Sequence, residues 1–404
     1  MQQEYLSRRD WLTAASLGGL SALAGCSKEN KPAPTVVQAP RVEASYDQLL
    51  QYPGKIAMRA INDRPPCLET PWEQFKHDIT PNDAFYVRWH LQNLPVIDEK
   101  TYKLKITGHV DKTLELSLGD LRKMPVTSVI AVNQCSGNSR GLFEPKIPGA
   151  QWNNGAMGNA KWTGVKLADV LKQAGIKAGA IDVTFAGLDK AGPETVPDYV
   201  KSIPLDEATK DHILLAYDMN GTPLPTLNGF PLRLVIPGWF ATYWVKALGT
   251  INVTDKKFEG YWVQKAYRIP KVGVDKPGDL AKETVPINRM LVRSFFVLPT
   301  PDSSVPAGKP VTLEGIAFDG GSGIKTVELS EDQGKTWKPA MLGDDLGVYS
   351  FRRWKLSWTP SKPGDYRLMV RATSNSGEKQ PDQHNWNRSG YLRNGIESWN
   401  LKAI

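Results

Sequence analysis

Val129-Ile130-Ala131-Val132-Asn133-Gln134-Cys135-Ser136-Gly137-Asn138-Ser139-Arg140-Gly141 is the most informative stretch of this 404-residue chain. An apolar run at 129–132 delivers Cys135 into a turn of Ser, Gly and Asn, and Arg140 follows five residues later. Taken alone, Cys135 reads as a small core hydrophobe. Its surroundings argue for more. Small residues on both sides let a bulky group approach the backbone, and a nearby guanidinium favours the thiolate. A thiolate so placed is either a nucleophile or a soft metal ligand. No His neighbours it in sequence to act as a base.

Outward from this turn, residues 60–290 mix helix and strand signals. Tyr102-Lys103-Leu104-Lys105-Ile106 alternates like a strand, and residues 167–174 carry helical apolar spacing ended by Gly175. Leu232-Arg233-Leu234-Val235-Ile236-Pro237-Gly238 reads as a buried strand stopped by Pro-Gly. There is no regular βαβ rhythm and no G-x-G-x-x-G, so a dinucleotide-binding fold is disfavoured. From 291 onward the texture changes. Pro299, Pro301, Pro306 and Pro310 punctuate a connector, and short alternating runs follow at 311–313, 327–329 and 366–370. Asp319-Gly320-Gly321 and Asp332-Gln333-Gly334 supply turns. The fold class expected is α+β, a mixed α/β domain over 60–290 followed by an immunoglobulin-like β-sandwich over 291–404.

Composition narrows the function classes. Hydrophobic residues at 41% and charged residues at 23% exclude a disordered tail and a multispan membrane protein. Thirteen Trp imply a substantial core. Three Cys cannot make a disulfide framework, and the absence of C-x-x-C-H gives no covalent c-type haem in this sequence. His77, His109, His212 and His384 lack metal-ligand spacing, which argues against zinc. The net charge of +8 comes without a basic, aromatic-interleaved run, so nucleic acid is not an expected partner. A diffuse positive field suits a small anion.

Residues 1–26 read as an address. Arg8 and Arg9 precede an uncharged apolar run at 12–24, the pattern of a twin-arginine export signal and too short to span a bilayer. Ala22-Leu23-Ala24 fits a signal-peptidase site, whereas Leu23-Ala24-Gly25-Cys26 resembles a lipobox whose Cys26 would be lipidated and tether the protein to a membrane. Residues 27–59, rich at their start in Lys, Pro and Ala, suit a tether. The expected location is the periplasm.

Several motifs together resemble the sulfite oxidase family of molybdenum enzymes, most closely its bacterial periplasmic sulfite dehydrogenases. Cys135-Ser136-Gly137-Asn138-Ser139-Arg140 is similar to the family's molybdenum-ligand loop. Phe85-Tyr86-Val87-Arg88-Trp89-His90 resembles its upstream Arg-x-His segment, and Trp152 with Gly155-Ala156-Met157-Gly158-Asn159-Ala160 its Trp-x-x-Gly-Ala-x-Gly-Asn-Ala motif. Gly229-Phe230-Pro231-Leu232-Arg233 and Val245-Lys246 continue the series, and the C-terminal stretch is similar to the family's dimerisation domain. The likeness runs over about residues 60 to 404.

The resemblance implies a molybdopterin-binding catalytic domain whose molybdenum is held by a pterin dithiolene and the Cys135 thiolate. It implies oxidation of sulfite to sulfate by oxo transfer, with electrons passed singly to a separate c-type cytochrome, and dimerisation through residues 291–404. Because the charge is positive, that cytochrome is expected to dock by an acidic face, or on a local acidic patch of this chain. Arg88, Arg140 and Tyr267 match the family's substrate residues. The implied cofactor-binding set is Tyr86, Val87, Arg88, Trp89, His90, Asp189, Asn228, Arg233, Trp244, Val245 and Lys246. Among these, His90, Arg233 and Lys246 would be the cations, and Asp189 would accept from pterin nitrogens.

Two positions depart from the family pattern. Asn228 stands where members often carry His, and Ser389 stands where vertebrate-type members carry a third Arg, for which Arg393 or Arg388 is the expected substitute, Arg393 preferred. Two other readings remain, a sulfane dehydrogenase subunit of a thiosulfate-oxidising complex and a catalytically silent scaffold. The address segment yields its own prediction: the mature protein begins at an acylated Cys26, and intact mass checks it, since cleavage after Ala24 would lack the acyl increment.

Overall fold

The computed structural model describes residues 49–192, 196–271, 275–301 and 303–404. The twin arginine, Cys26 and most of the tether therefore lie outside the described residues. All that is described belongs to one compact unit, residues 36–404.

Strands dominate and the helices are short, in keeping with an α+β sulfite-oxidase-type fold. A five-stranded mixed sheet runs in the order Val200–Pro204, Asp182–Gly187, Leu248–Thr254, Leu104–Gly108, Leu114–Leu116. Its one parallel pair joins 248–254 to 104–108. The helix Leu167–Ala174 forms where its spacing predicts: Leu167, Val170, Leu171 and Ala174 are buried along one stripe, and Gly175 ends it at φ 70°.

A second sheet carries the chemistry-bearing turn. Val126–Gln134 and Met157–Lys166 pair antiparallel from Val126 opposite Val165 to Gln134 opposite Met157. Val126–Gln134 is half-exposed at its start and buried over its last four residues, so it leads from the surface into the core and releases Cys135 there. Gly158 has no Cβ because the Phe85 ring lies 2.5 Å from where one would sit.

The C-terminal region packs two sheets around a second core that includes Phe296, Trp354 and Leu368. Its first strand, Arg293–Leu298, lies ahead of the proline-punctuated connector and pairs with Val311–Phe318. Trp72, from the N-terminal region, stacks on Trp399 at 5.2 Å and donates from Nε1 to the Val297 carbonyl at 2.8 Å.

One buried ionic cluster ties this sandwich to the Cys135 turn. Arg293 Nη2 donates to Glu397 Oε1 at 2.7 Å, to Ser139 Oγ at 2.8 Å and to Asn154 Oδ1 at 2.9 Å. Arg393 Nη1 donates to the same Glu397 oxygen at 2.7 Å. Burial alone would push the Glu397 carboxyl up, but Arg393 and Arg293 outweigh it and hold it at about 2, against an ordinary 4.5. A depressed carboxyl stabilises the fold above pH 4.5, and that contribution is lost as pH falls towards 2. Glu397→Gln, which leaves two buried guanidiniums without their anion, is expected to destabilise by about 3–5 kcal/mol at neutral pH. Denaturant titrations across pH should show this gap narrowing below pH 4.5.

Candidate active site

The Cys135 turn is held both by its own backbone, with Asn138 N donating to the Cys135 carbonyl at 3.0 Å, and by its neighbours. Cys135 N donates to the Ala156 carbonyl and Asn138 Oδ1 accepts from Ala156 N, each at 2.9 Å. Ser139, in the left-handed region at φ 69°, donates its amide to the Asn153 carbonyl at 2.8 Å and its hydroxyl to Asn154. The thiol is 9% exposed.

It opens on a partly enclosed, largely polar cavity. Eight of the expected residues line it: Tyr86, Arg88, His90, Cys135, Asn228, Arg233, Lys246 and Tyr267. Asn133, Ser136, Leu227, Ala241 and Thr242 complete the lining. Of these, Asn133 and Ser136 flank Cys135 in sequence, so their place was open to inference. Thr242 was not; it is fixed by the Tyr199 hydroxyl, which donates to its carbonyl.

The other expected residues lie around the cavity without lining it. Val87 and Trp89 are buried behind the wall, with Trp89 Nε1 on the Leu227 carbonyl at 2.9 Å and the Lys246 ammonium 4.7 Å from its ring. Trp244 and Val245 act through their backbones: Arg233 Nη2 reaches the Trp244 carbonyl at 3.3 Å, and Leu234 N donates to Val245 O at 2.9 Å. Asp189 is buried, and Lys246 is its strongest charged neighbour. Arg140 sits beside the cavity, its Nε on the Ser389 carbonyl at 3.0 Å and its Nη1 on Ala150 O at 3.2 Å. Gly137, Gly149 and Gly390 leave the space that its side chain fills; a Cβ on Gly137 would lie 2.4 Å from Nη2.

Neither substitute for a third arginine reaches the cavity lining. Arg393 is turned to Glu397, and Arg388 grips Asp275 with Nε and Nη2 at 3.1 Å each. A long side chain so close to a buried carboxylate is captured by it.

The electrostatics are strongly one-sided. Arg88, Arg233 and Lys246 line the cavity, and among the described residues no carboxylate does. Burial pulls Lys246 down to about 7 and Arg233 down to about 10. Burial pushes the nearby Asp189 carboxyl up to about 6, against the pull of Lys246. His90 differs from its expected cationic role. Burial, then Arg88, drive it well below the ordinary imidazole range. The ring is neutral, stacked on Tyr199 at 3.7 Å, with Nε2 hydrogen-bonded to the Tyr267 hydroxyl. Burial lifts the Tyr267 phenol above its usual value, so it too is neutral.

These features fit an anionic, hydrogen-bonding group such as a pterin phosphate. Asn133 Nδ2, Ser136 Oγ and Arg233 Nε are buried without partners among the described residues. Such groups call for a ligand. Among the described residues no three His, Cys, Asp or Glu side chains are grouped to hold a metal. A metal on Cys135 would therefore take its other ligands from a non-protein group, as a dithiolene provides.

Two cations escaped the sequence reading. Lys55 is buried and gives its ammonium to Asn228 Oδ1 and Asn82 O at 2.6 Å and to Phe85 O at 2.9 Å. The Asn228 amide nitrogen donates to the Tyr86 carbonyl at 3.1 Å, so this Asn braces the cavity wall. Lys201 donates to Trp262 O at 2.6 Å and lies 5.2 Å from the Tyr267 ring. Neither carries a local signal, because 173 residues separate Lys55 from Asn228.

The chain matches the oxidoreductase molybdopterin-binding domain over residues 90–262 and the Mo-co oxidoreductase dimerisation domain over 284–399. It is 35% identical to mitochondrial sulfite oxidase of Mus musculus over 91% of this chain and 69% of that protein. It is 36% identical to sulfite oxidase of Arabidopsis thaliana over 67% of this chain and 71% of that one. Among solved structures, the sulfane dehydrogenase SoxCD of Paracoccus pantotrophus superposes with a TM-score of 0.74 over 93% of both chains, at 24% identity. At that identity the likeness speaks for the fold.

The brace at Asn228 yields a prediction. Lys55→Met strands two buried acceptors, Asn228 Oδ1 and the Phe85 carbonyl, each costing about 1–3 kcal/mol, and a part-buried third at Asn82. Thermal unfolding followed by circular dichroism should register a loss of several degrees, with less molybdenum retained per chain than in the wild type.

Proposed function

Because this chain belongs to the sulfite oxidase family of molybdopterin oxidoreductases, we propose that it is an exported sulfite dehydrogenase. The overall change is sulfite plus water to sulfate, two protons and two electrons, the electrons leaving one at a time to a separate c-type cytochrome. The observation that carries the reading is the convergence of Cys135, Arg88 and Tyr267 on one cavity rich in buried cations.

On this reading the Cys135 thiolate, with the pterin, would hold molybdenum, which when bound supplies the oxygen atom and takes up two electrons. The chain's own residues bind and orient. Arg233 and Lys246 would meet the anionic tail of the cofactor, and the Asn133 and Ser136 side chains its hydrogen-bonding edge. Arg88 and Arg140 would hold the sulfite oxygens; Arg140 keeps Nη2 without a partner among the described residues. Tyr267, neutral and bonded to neutral His90, offers a hydrogen bond without a charge. Little proton transfer is needed when a sulfur lone pair attacks, so fixed positive charge is the main aid to the reaction.

Twin-arginine export, a Cys26 membrane tether and a homodimer formed through the C-terminal domain belong to the same proposal. A second reading, a sulfane dehydrogenase, keeps the cofactor and changes the substrate. The two part when sulfite and thiosulfate are offered to the same preparation. The deciding experiment is metal analysis followed by anaerobic addition of sulfite. About one molybdenum per chain and rapid loss of the oxidised metal's absorption, with sulfate formed, are expected. A protein without molybdenum after proper maturation would be a silent scaffold. In the same assay Arg140→Lys should raise the sulfite KM by roughly tenfold or more, since Lys lacks the planar fork that matches two oxygens. An unchanged KM would remove Arg140 from the site.

A further inference from the structure

With Arg388 and Arg393 both tied to carboxylates, the question is what the C-terminal loop presents to the site in place of a cation. The geometry points to Tyr391. Its ring lies parallel to Tyr267, with centroids 5.5 Å apart and planes 13° off. The Arg140 guanidinium carbon stands 5.4 Å from the same ring. The phenol is thus layered against one residue that lines the cavity and another that flanks it.

The backbone there is pinned. Asn387 Oδ1 accepts from Tyr391 N at 3.1 Å, and Asn387 Nδ2 donates to Tyr391 O at 2.8 Å. The next residue, Leu392, donates its amide at 3.2 Å to the carbonyl of Ser136, which follows Cys135 and lines the cavity. Leu392 holds φ at 59°, a strained value for a branched residue and one that directs the chain into this contact. Among the described residues the Tyr391 hydroxyl has no hydrogen-bond partner, although most of the side chain is covered. The charged groups that act most strongly on it are Arg140, Cys135 and Arg88.

We propose that Tyr391 is a substrate-binding residue, its hydroxyl donating to an oxygen of the sulfur oxyanion held by Arg88 and Arg140. The proposal rests on the sulfite-dehydrogenase reading and deepens it. A neutral donor beside the Arg140 guanidinium adds directionality without adding charge. The stack on Tyr267 and Arg140 fixes the ring beforehand, so little side-chain freedom is lost on binding. The ring stacks on the cavity-lining Tyr267 and belongs to the C-terminal domain, so on this proposal both domains contribute to one anion site.

The test uses molybdenum-loaded Tyr391→Phe, which keeps the ring and its stacking and removes one oxygen. Loss of a hydrogen bond to a charged acceptor should raise the sulfite KM roughly tenfold, with kcat changed less than about twofold. Sulfate binding to the oxidised enzyme, measured by calorimetry, should weaken by a similar factor, while molybdenum content and melting temperature stay at the wild-type level. A sulfite KM and a sulfate Kd both within twofold of the wild type would overturn the proposal, even if the wild type oxidises sulfite well. A wild type that fails to oxidise sulfite would instead sink the functional reading, and the sulfate titrations of the two proteins would still test the hydroxyl.

Discussion

Positive charge buried around the Cys135 thiol, with no carboxylate lining the cavity among the described residues, is the constraint from which the rest of the site follows. Arg88, Arg233 and Lys246 converge on the cavity beside Cys135, and Asp189 acts electrostatically on Lys246. Burying ammonium and guanidinium groups is costly, and the depressed values of Lys246 and Arg233 express that cost. A polyanionic ligand would reverse both shifts. The orphaned donors on Asn133, Ser136 and Arg233 point the same way, since among the described residues they are buried without a partner. A cavity of this kind is built for something that the twenty side chains do not supply.

Holding such a site open requires rigid surroundings. The Cys135 turn is clamped on one side by Ala156 and Asn153 and on the other by Arg293 of the sandwich. Arg293 in turn shares Glu397 with Arg393, so the ion cluster lies between the sandwich and the turn. Asn228 is braced by Lys55, and Tyr267 by His90, with neutral partners at the second pair where extra charge would be least tolerable. The sandwich is therefore more than an appendage. Its long loop carries the Ser389 carbonyl to Arg140 and lays Tyr391 across Tyr267.

The fate of the extra arginines illustrates why like residues differ. Arg88 faces the cavity with no acid to capture it, whereas Arg388 meets Asp275 and Arg393 meets Glu397. Position in sequence made all three plausible substrate ligands. The location of two carboxylates, one of them at 275 and so more than a hundred residues away, decided between them.

The motifs around Cys135 and the segment from Tyr86 to His90 each occupy a few consecutive residues, but the roles of Arg88, His90, Arg233 and Lys246 were implied by the family resemblance and not by local chemistry. The helix ended by Gly175 and the turns at 319–321 and 332–334 were legible because short-range sterics set them. Lys55, Lys201, Arg293 and Tyr391 were not. Each acts through a partner remote in the chain, and a lone Lys, Arg or Tyr looks the same whether it meets solvent, a carboxylate or an aromatic face. Charge state was equally hidden, since burial and then Arg88 hold His90 well below the ordinary imidazole range. Local pattern, read through the family resemblance, thus determined which residues could do chemistry here. Only the tertiary structure decided which of them face the cavity, because desolvation and pairing are properties of what lies next in space.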